Sequence, residues 1–289
     1  MTDIRYLAPP TLEEAVGAFA AAQGAARILA GGTDLLVQMR NGAARPGTII
    51  DIKKIAELTT IEETAEGGFR IGAAVSGAVL AEHPRFGKVW PGVLEAVNLI
   101  GSTQVQGRAS PGGNLCHGSP AADSVPAMVA AGAVLTIQGP NGRRTLPVEQ
   151  FPVGPGRNSL APGEILVSFT LPPRPQGSGD AYLRMIPRTE MDIAVVGVGV
   201  SLTLENGVCT AARVGLGAVA PTVKLVADAA KALVGTRLDD AALEAAAAAC
   251  RAACNPINDK RGTIEYRVKV SGVLLKRAVA IAAERAGRA

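Results

Sequence analysis

Two glycine pairs set among small polar residues, Gly31-Gly32-Thr33-Asp34 and Ser110-Pro111-Gly112-Gly113-Asn114, constrain this chain more than any other feature. Glycine lets a bulky group approach the backbone and reaches positive φ, which turns successive N–H groups toward one point. Thr33, Ser110 and Asn114 can add side-chain hydrogen bonds. In the first segment the apolar run 26–30 reads as a buried strand, the glycine pair as a turn, and Thr33-Asp34 as the start of a helix that Gly42 ends. A helix N-terminus there would favour an anion by ~0.3–1 kcal/mol per charge. A tight turn that simply needs glycine is the competing reading of each segment. Two of them, far apart in the chain, point to a pyrophosphate held between them.

The rest of the sequence limits the alternatives. The chain has 289 residues, a net charge of +4 and 48% apolar content, enough for several packed layers. No uninterrupted apolar run reaches the ~18 residues of a membrane helix. "MTDIRYLAPP" lacks the basic-then-apolar build of a signal peptide, so a cytoplasmic protein is expected. Four cysteines without a CxxC pair and two histidines make a zinc or iron–sulfur site built by this chain alone an unsuitable reading. Redox chemistry would then use an organic cofactor. Lys and Arg are scattered and aromatics make up 3%, which argues against nucleic acid despite a pI near 9.0.

Three parts are expected, 1–55, 56–177 and 178–289. The first opens with the capping box "TLEE" before an Ala-rich helix closed by Gly24, followed by the strand, Gly-Gly turn and helix above and a strand over 47–52. In the second, "ELTTIEE" and "FRIGAAV" read as strands, and 76–83 and 88–99 as helices. "SVPAMVAAGA" reads as a short helix, and "AVLTIQ" and "RRTLPV" as a hairpin across Pro140-Asn141-Gly142. "PPRPQGSG" at 172–179 reads as a linker. The third part begins with alternating strand patterns and ends with helices near 223–233, 239–254 and 263–285.

Other motifs carry competing readings. "GLGAVA" fits GxGxxA through Gly215, Gly217 and Ala220, with Asp239 as the distant acid, but no second parallel strand ends at that acid, so glycines in a packed antiparallel strand explain it better. Cys116 and His117 follow the second glycine segment, where covalent flavin attachment competes with a buried thiol and a hydrogen-bonded loop histidine. Cys250 and Cys254, at i and i+4, read as helix packing. Arg184 and Arg188 precede Glu190 and Asp192; they are either salt-bridged at the start of a strand or supply a cation to a reduced ring system.

Taken together, "LAGGTDLL", "GGNLCHGSPAADSVPAMVAAGA", "RTEMDIAVVGVGVSL" and "NPINDKRGTIEYRVKVSGVLLKRAV" resemble the FAD-binding medium subunit of the xanthine dehydrogenase and carbon monoxide dehydrogenase family of molybdenum hydroxylases. The likeness spans nearly the whole chain in one order. It implies an α+β fold: two subdomains of the vanillyl-alcohol oxidase (PCMH) type that clamp FAD, then a small antiparallel sheet with a three-helix bundle.

By the same resemblance Ile28, Leu29, Ala30, Gly31, Gly32, Thr33, Asp34 and Leu35 match the first pyrophosphate loop, and Ser110, Gly112, Gly113 and Asn114 the second. His117 lies beside the cofactor and Asp123 hydrogen-bonds it. Ile100 and Leu160 flank the adenine, while Arg184, Asp192 and Ile193 pass near the flavin ring. Two positions depart from the pattern: Pro111 lacks an N–H where relatives have an aliphatic residue, and Arg184 replaces a common lysine. The resemblance further implies non-covalent FAD, with the molybdenum cofactor in a large partner subunit and [2Fe-2S] clusters in a small one. It implies a dimer of heterotrimers in which this chain relays electrons to an external acceptor. A self-contained flavin-dependent oxidoreductase of the same fold is the alternative.

Overall fold

A computed structural model of the chain describes residues 4–189 and 191–287; Glu190, named above, lies outside the described residues. The first strand, β1 (Arg5–Leu7), is followed by α1 (Leu12–Ala21), where Thr11 Oγ1 accepts from the Glu14 amide at 3.2 Å, as the capping box requires. Strand β2 (Ala26–Leu29), α2 (Leu35–Arg40) and β3 (Thr48–Asp51) complete a parallel sheet of order β1-β3-β2. Both crossovers pass through a helix, as parallel pairing demands.

The second unit departs from expectation in three places. "ELTTIEE" is not one strand. Ala56–Thr59 forms a single helical turn, α3, and only Ile61–Glu63 forms β4, because Leu58 is wholly buried against Gly72 of β5 (Phe69–Gly72). The expected helix at 88–99 is broken in two. After α4 (Gly77–Glu82), α5 (Phe86–Val89) stops before Pro91, which occupies the first turn of α6 (Pro91–Asn98), where its missing N–H is harmless. The turn α7 (Thr103–Gln106) then leads to the third difference: the second glycine segment is helical, forming α8 (Pro111–His117), ended by Gly118 in the left-handed region.

Helix α9 (Ser124–Ala130) and the hairpin β6 (Val134–Gly139) and β7 (Gly142–Pro147) follow as expected. A small ribbon, β8 (Pro152–Gly154) and β9 (Arg157–Asn158), leads to β10 (Ile165–Leu171), which closes a second sheet of order β4-β5-β10-β6-β7.

The third sheet is antiparallel, β11 (Ser178–Met185), β12 (Val196–Glu205), β13 (Val208–Gly217) and β14 (Lys224–Leu225) in order. Helices α10 (Ala227–Leu233), α11 (Asp240–Ala252) and α12 (Ile264–Gly287) complete it, with Leu275, Ala278 and Val279 of α12 in the core this sheet shares. "PPRPQGSG" is no free linker, since β11 begins inside it and Arg174 is fixed by Asp180 at 2.8 Å and by the Trp90 ring. "GLGAVA" lies at the end of antiparallel β13, which excludes a Rossmann unit. There Gly199, Gly215 and Gly217 admit Pro126 of α9; a Cβ on Gly215 would stand 2.3 Å from the Pro126 carbonyl oxygen.

Candidate functional site

A cleft of about 250 Å³ lies between the first sheet and α8, and both glycine segments line it. In the first, β2 ends at Leu29 and the chain turns through Gly32 at φ +81°, a conformation that L side chains avoid. Gly31 is required for another reason. A Cβ there would sit 1.8 Å from the Arg108 carbonyl oxygen, so this glycine is where the two segments touch. The amides of Gly31, Gly32, Thr33 and Asp34 donate to no protein acceptor among the described residues.

The second segment reaches the cleft as a helix start. Ser110 caps α8 through its Oγ, which accepts from the Gly113 amide at 3.0 Å. Pro111 opens the helix at a position whose amide would be orphaned in any case, so its departure from the family pattern costs the backbone little. The two glycines are not equivalent. A Cβ on Gly112 would meet Ala73 backbone at 2.3 Å, whereas one on Gly113 would meet only Ser110 Oγ, at 3.0 Å. Gly112 serves packing, and Gly113 keeps the cleft wall low. Asn114 Oδ1 accepts from the Ser124 hydroxyl at 2.7 Å, which leaves the Asn114 side-chain NH₂ as a donor.

His117 Nε2 lies 3.7 Å from Asp34 Oδ1, joining the two segments. Ile28, Leu35, Ile100 and Leu160 supply apolar wall. Cys116 also lines the cleft, and burial pushes its thiol up to about 12, so it stays protonated and a poor nucleophile.

Leu29, Asp123, Arg184, Asp192 and Ile193 do not line this cleft. Leu29 is packed in the core below the loop. Asp123 is buried, accepting from Arg184 Nη1 at 2.7 Å and from the Tyr182 hydroxyl at 2.9 Å. Arg184 therefore finds its acid 61 residues away rather than next to it, and it also donates to the Leu99 carbonyl at 3.1 Å, beside Ile100. Burial lifts the Asp123 carboxyl to about 6, against the lowering pull of Arg184 and Tyr182. Asp192 holds Arg261 at 2.8 Å and Arg188 at 3.2 Å, which keep its carboxyl near 2; Ile193 next to it is exposed.

Sequence reasoning missed Phe19, Gln38, Ile52, Ala73 and Glu164, which also face the cleft. Gln38 was within reach of it, because Asp34, Leu35 and Gln38 share one face of α2 at i, i+1 and i+4. Glu164 is fixed by Nε and Nη2 of Arg144, each at 2.7 Å, which holds its carboxyl below the usual range.

A dinucleotide such as FAD needs donors around its pyrophosphate, room for the phosphates to approach the chain, and apolar surface for its rings. The free amides after Leu29, the open face of Gly113, and Ile100 with Leu160 meet those needs.

Comparison with known proteins agrees. Residues 2–174 match the family model described as the FAD binding domain in molybdopterin dehydrogenase, and residues 181–282 that of the CO dehydrogenase flavoprotein C-terminal domain. The chain is 34% identical to the carbon monoxide dehydrogenase medium chain of Afipia carboxidovorans, over 97% of each. It is 33% identical to the xanthine dehydrogenase FAD-binding subunit of Escherichia coli O157:H7, over 91% of this chain and 90% of that one. Among solved structures, CO dehydrogenase from Oligotropha carboxidovorans superposes with a TM-score of 0.94 at 34% identity, covering 98% of each chain. Quinoline 2-oxidoreductase from Pseudomonas putida 86 gives 0.90 at 27%, with the same coverage. With its two-part FAD-binding fold and C-terminal sheet and helices, the chain belongs to the FAD-binding medium-subunit family of the molybdenum hydroxylases.

Proposed function

We propose that this chain is the electron-transfer subunit of a heteromeric molybdenum hydroxylase, taking electrons from [2Fe-2S] clusters of a small partner subunit and passing them to an external acceptor. The molybdenum cofactor belongs to a large partner, where substrate is oxidised, and the whole is a cytoplasmic dimer of heterotrimers. The observation that carries this reading is the cleft between the two glycine segments, with its free amides on one side and the low wall at Gly113 on the other.

Bound there, FAD supplies a centre that is reduced and reoxidised. The chain's own residues bind and orient. Gly31 to Asp34, Ser110 and Asn114 present donors to the pyrophosphate, Gly113 leaves room for it, and Ile100 and Leu160 offer apolar faces to the adenine. His117 and Asp34 stand at the meeting of the two segments. Attachment is non-covalent, a reading supported by the protonated thiol of Cys116. Asp123, Arg184, Asp192 and Ile193 act on the flavin side; the buried Asp123–Arg184 pair ties β11 to the start of α9 rather than offering a free cation. The four cysteines are free, which suits a reducing compartment. Segments 1–55, 56–177 and 178–289 are the units of this architecture.

The test is to express the chain with and without its large and small partners and to assay substrate-dependent dye reduction. Activity should require all three chains. Turnover by this chain alone would replace the relay with a self-contained flavin oxidoreductase.

A further inference from the structure

The first glycine loop is gripped from behind. Lys53 Nζ donates to the Ala30 carbonyl at 2.8 Å, and Arg108 Nε donates to the Gly31 carbonyl at 3.3 Å. These are consecutive peptide oxygens at the head of the turn whose following amides are free. Lys53 does not stand alone: Asp51 Oδ1 accepts from its Nζ at 2.6 Å, and the other oxygen of Asp51 accepts from the Tyr6 hydroxyl at 2.6 Å. Asp51 is itself buried at the end of β3, so Lys53 is anchored to the sheet. Arg108 belongs to the segment leading into α8, and its own carbonyl is the atom that excludes a side chain at Gly31.

We propose that Lys53 and Arg108 are positioning residues for the FAD pyrophosphate. A peptide group is planar, so fixing its oxygen fixes the direction of the N–H on the other side. Holding the Ala30 and Gly31 oxygens with two cations sets the amides of Gly31 and Gly32, which belong to those same two peptide planes. Arg108 also places positive charge behind donors that must meet a dianionic group, while the Lys53 charge is balanced by Asp51. A flexible Gly-Gly turn would otherwise lose that orientation to conformational freedom. Asp51 and Tyr6 extend the device, holding Lys53 in place without touching the cleft. The inference rests on the cleft being the FAD site.

The experiment uses the full-length chain freed of flavin, titrated calorimetrically with FAD, with ADP, and with adenosine, which lacks phosphate. Lys53→Met and Arg108→Met should each weaken FAD and ADP by roughly tenfold, the effect of losing one hydrogen bond to a charged group. Adenosine affinity should stay within about twofold, and Lys53→Arg should restore most of the ADP affinity. Melting temperatures report whether each variant is folded. Wild-type ADP affinity in a folded Lys53→Met/Arg108→Met double variant would overturn the proposal while leaving the cleft as the FAD site. Equal loss of ADP and adenosine would overturn it too, since the grip would then be general scaffolding. If the wild-type chain binds neither FAD nor ADP, the cleft reading falls and takes this inference with it.

Discussion

Arg184 and Asp123 meet at 2.7 Å with their side chains 5% and 10% exposed, although 61 residues separate them. The contact ties β11 to the start of α9, and Arg184 also holds the carbonyl of Leu99 beside the cleft residue Ile100. Removing one partner strands the other. Arg184→Met should cost about 3–5 kcal/mol, the range for breaking a buried pair. Adding Asp123→Asn should recover part of the loss. Urea denaturation of the single and double variants checks this; additive losses would mean that the two side chains act independently.

The same carboxyl sets a pH dependence. Its folded pKa, about 6, lies above its ordinary value of 3.8, so between those values the native state keeps a proton that the unfolded chain has lost. Stability from this group is full below 3.8 and falls as pH rises through about 6, by about 3 kcal/mol in total. The expected result is a declining urea midpoint for wild type across that window and a flatter one for Asp123→Asn.

Gly113 and Gly112 separate function from packing. Gly113→Val adds its side chain on the open side of α8, meeting only Ser110 Oγ, so the variant should fold and yet fail to retain FAD. Gly112→Ala drives a Cβ into Ala73 backbone at 2.3 Å and should lose stability first. Melting temperature and flavin absorbance per chain read the two effects apart. Full flavin occupancy in folded Gly113→Val would remove this segment from the binding site.

Cys116 should not carry the flavin. Burial holds its thiol at about 12, so almost none is thiolate at neutral pH. Acid precipitation should release the yellow colour into the supernatant, and Cys116→Ser should bind FAD as wild type does. Colour that stays with the precipitated wild type and is lost in the variant would make Cys116 the attachment point.

The glycine segments were legible because little besides a close approach or a positive φ asks for paired glycines between an apolar strand and a helix start. The helical state of the second was not. Pro111 and two glycines disfavour a helix interior by local propensity, yet Pro111 sits at its first position and Ser110 caps it. Likewise Thr59 and Thr60 suggested strand where burial of Leu58 imposes a helical turn. Lys53 and Arg108 left no trace in the sequence, since their acceptors are backbone oxygens 23 and 77 residues away. Periodicity reports which face is buried, but it does not reveal which distant carbonyl a cation will find.

The glycines of β12 and β13 should matter to the cofactor although they lie outside the cleft. Gly199 and Gly215 sit against the Pro126 carbonyl, where added Cβ atoms would fall 2.5 and 2.3 Å from its oxygen. Gly215→Ala must push α9 away from the sheet, at a cost of about 1–3 kcal/mol for overpacking. Helix α9 begins at Ser124, whose hydroxyl and amide hold Asn114 Oδ1 at 2.7 and 3.3 Å, so the displacement reaches the cleft through one side chain. The expected outcome is a lower melting temperature together with weaker FAD binding. Gly17→Ala is the control: it fills open space in α1, where alanine favours the helix by ~1 kcal/mol, and should leave FAD affinity unchanged. Unaltered FAD affinity in a destabilised Gly215→Ala variant would show that the third sheet supports the fold without setting the position of Asn114.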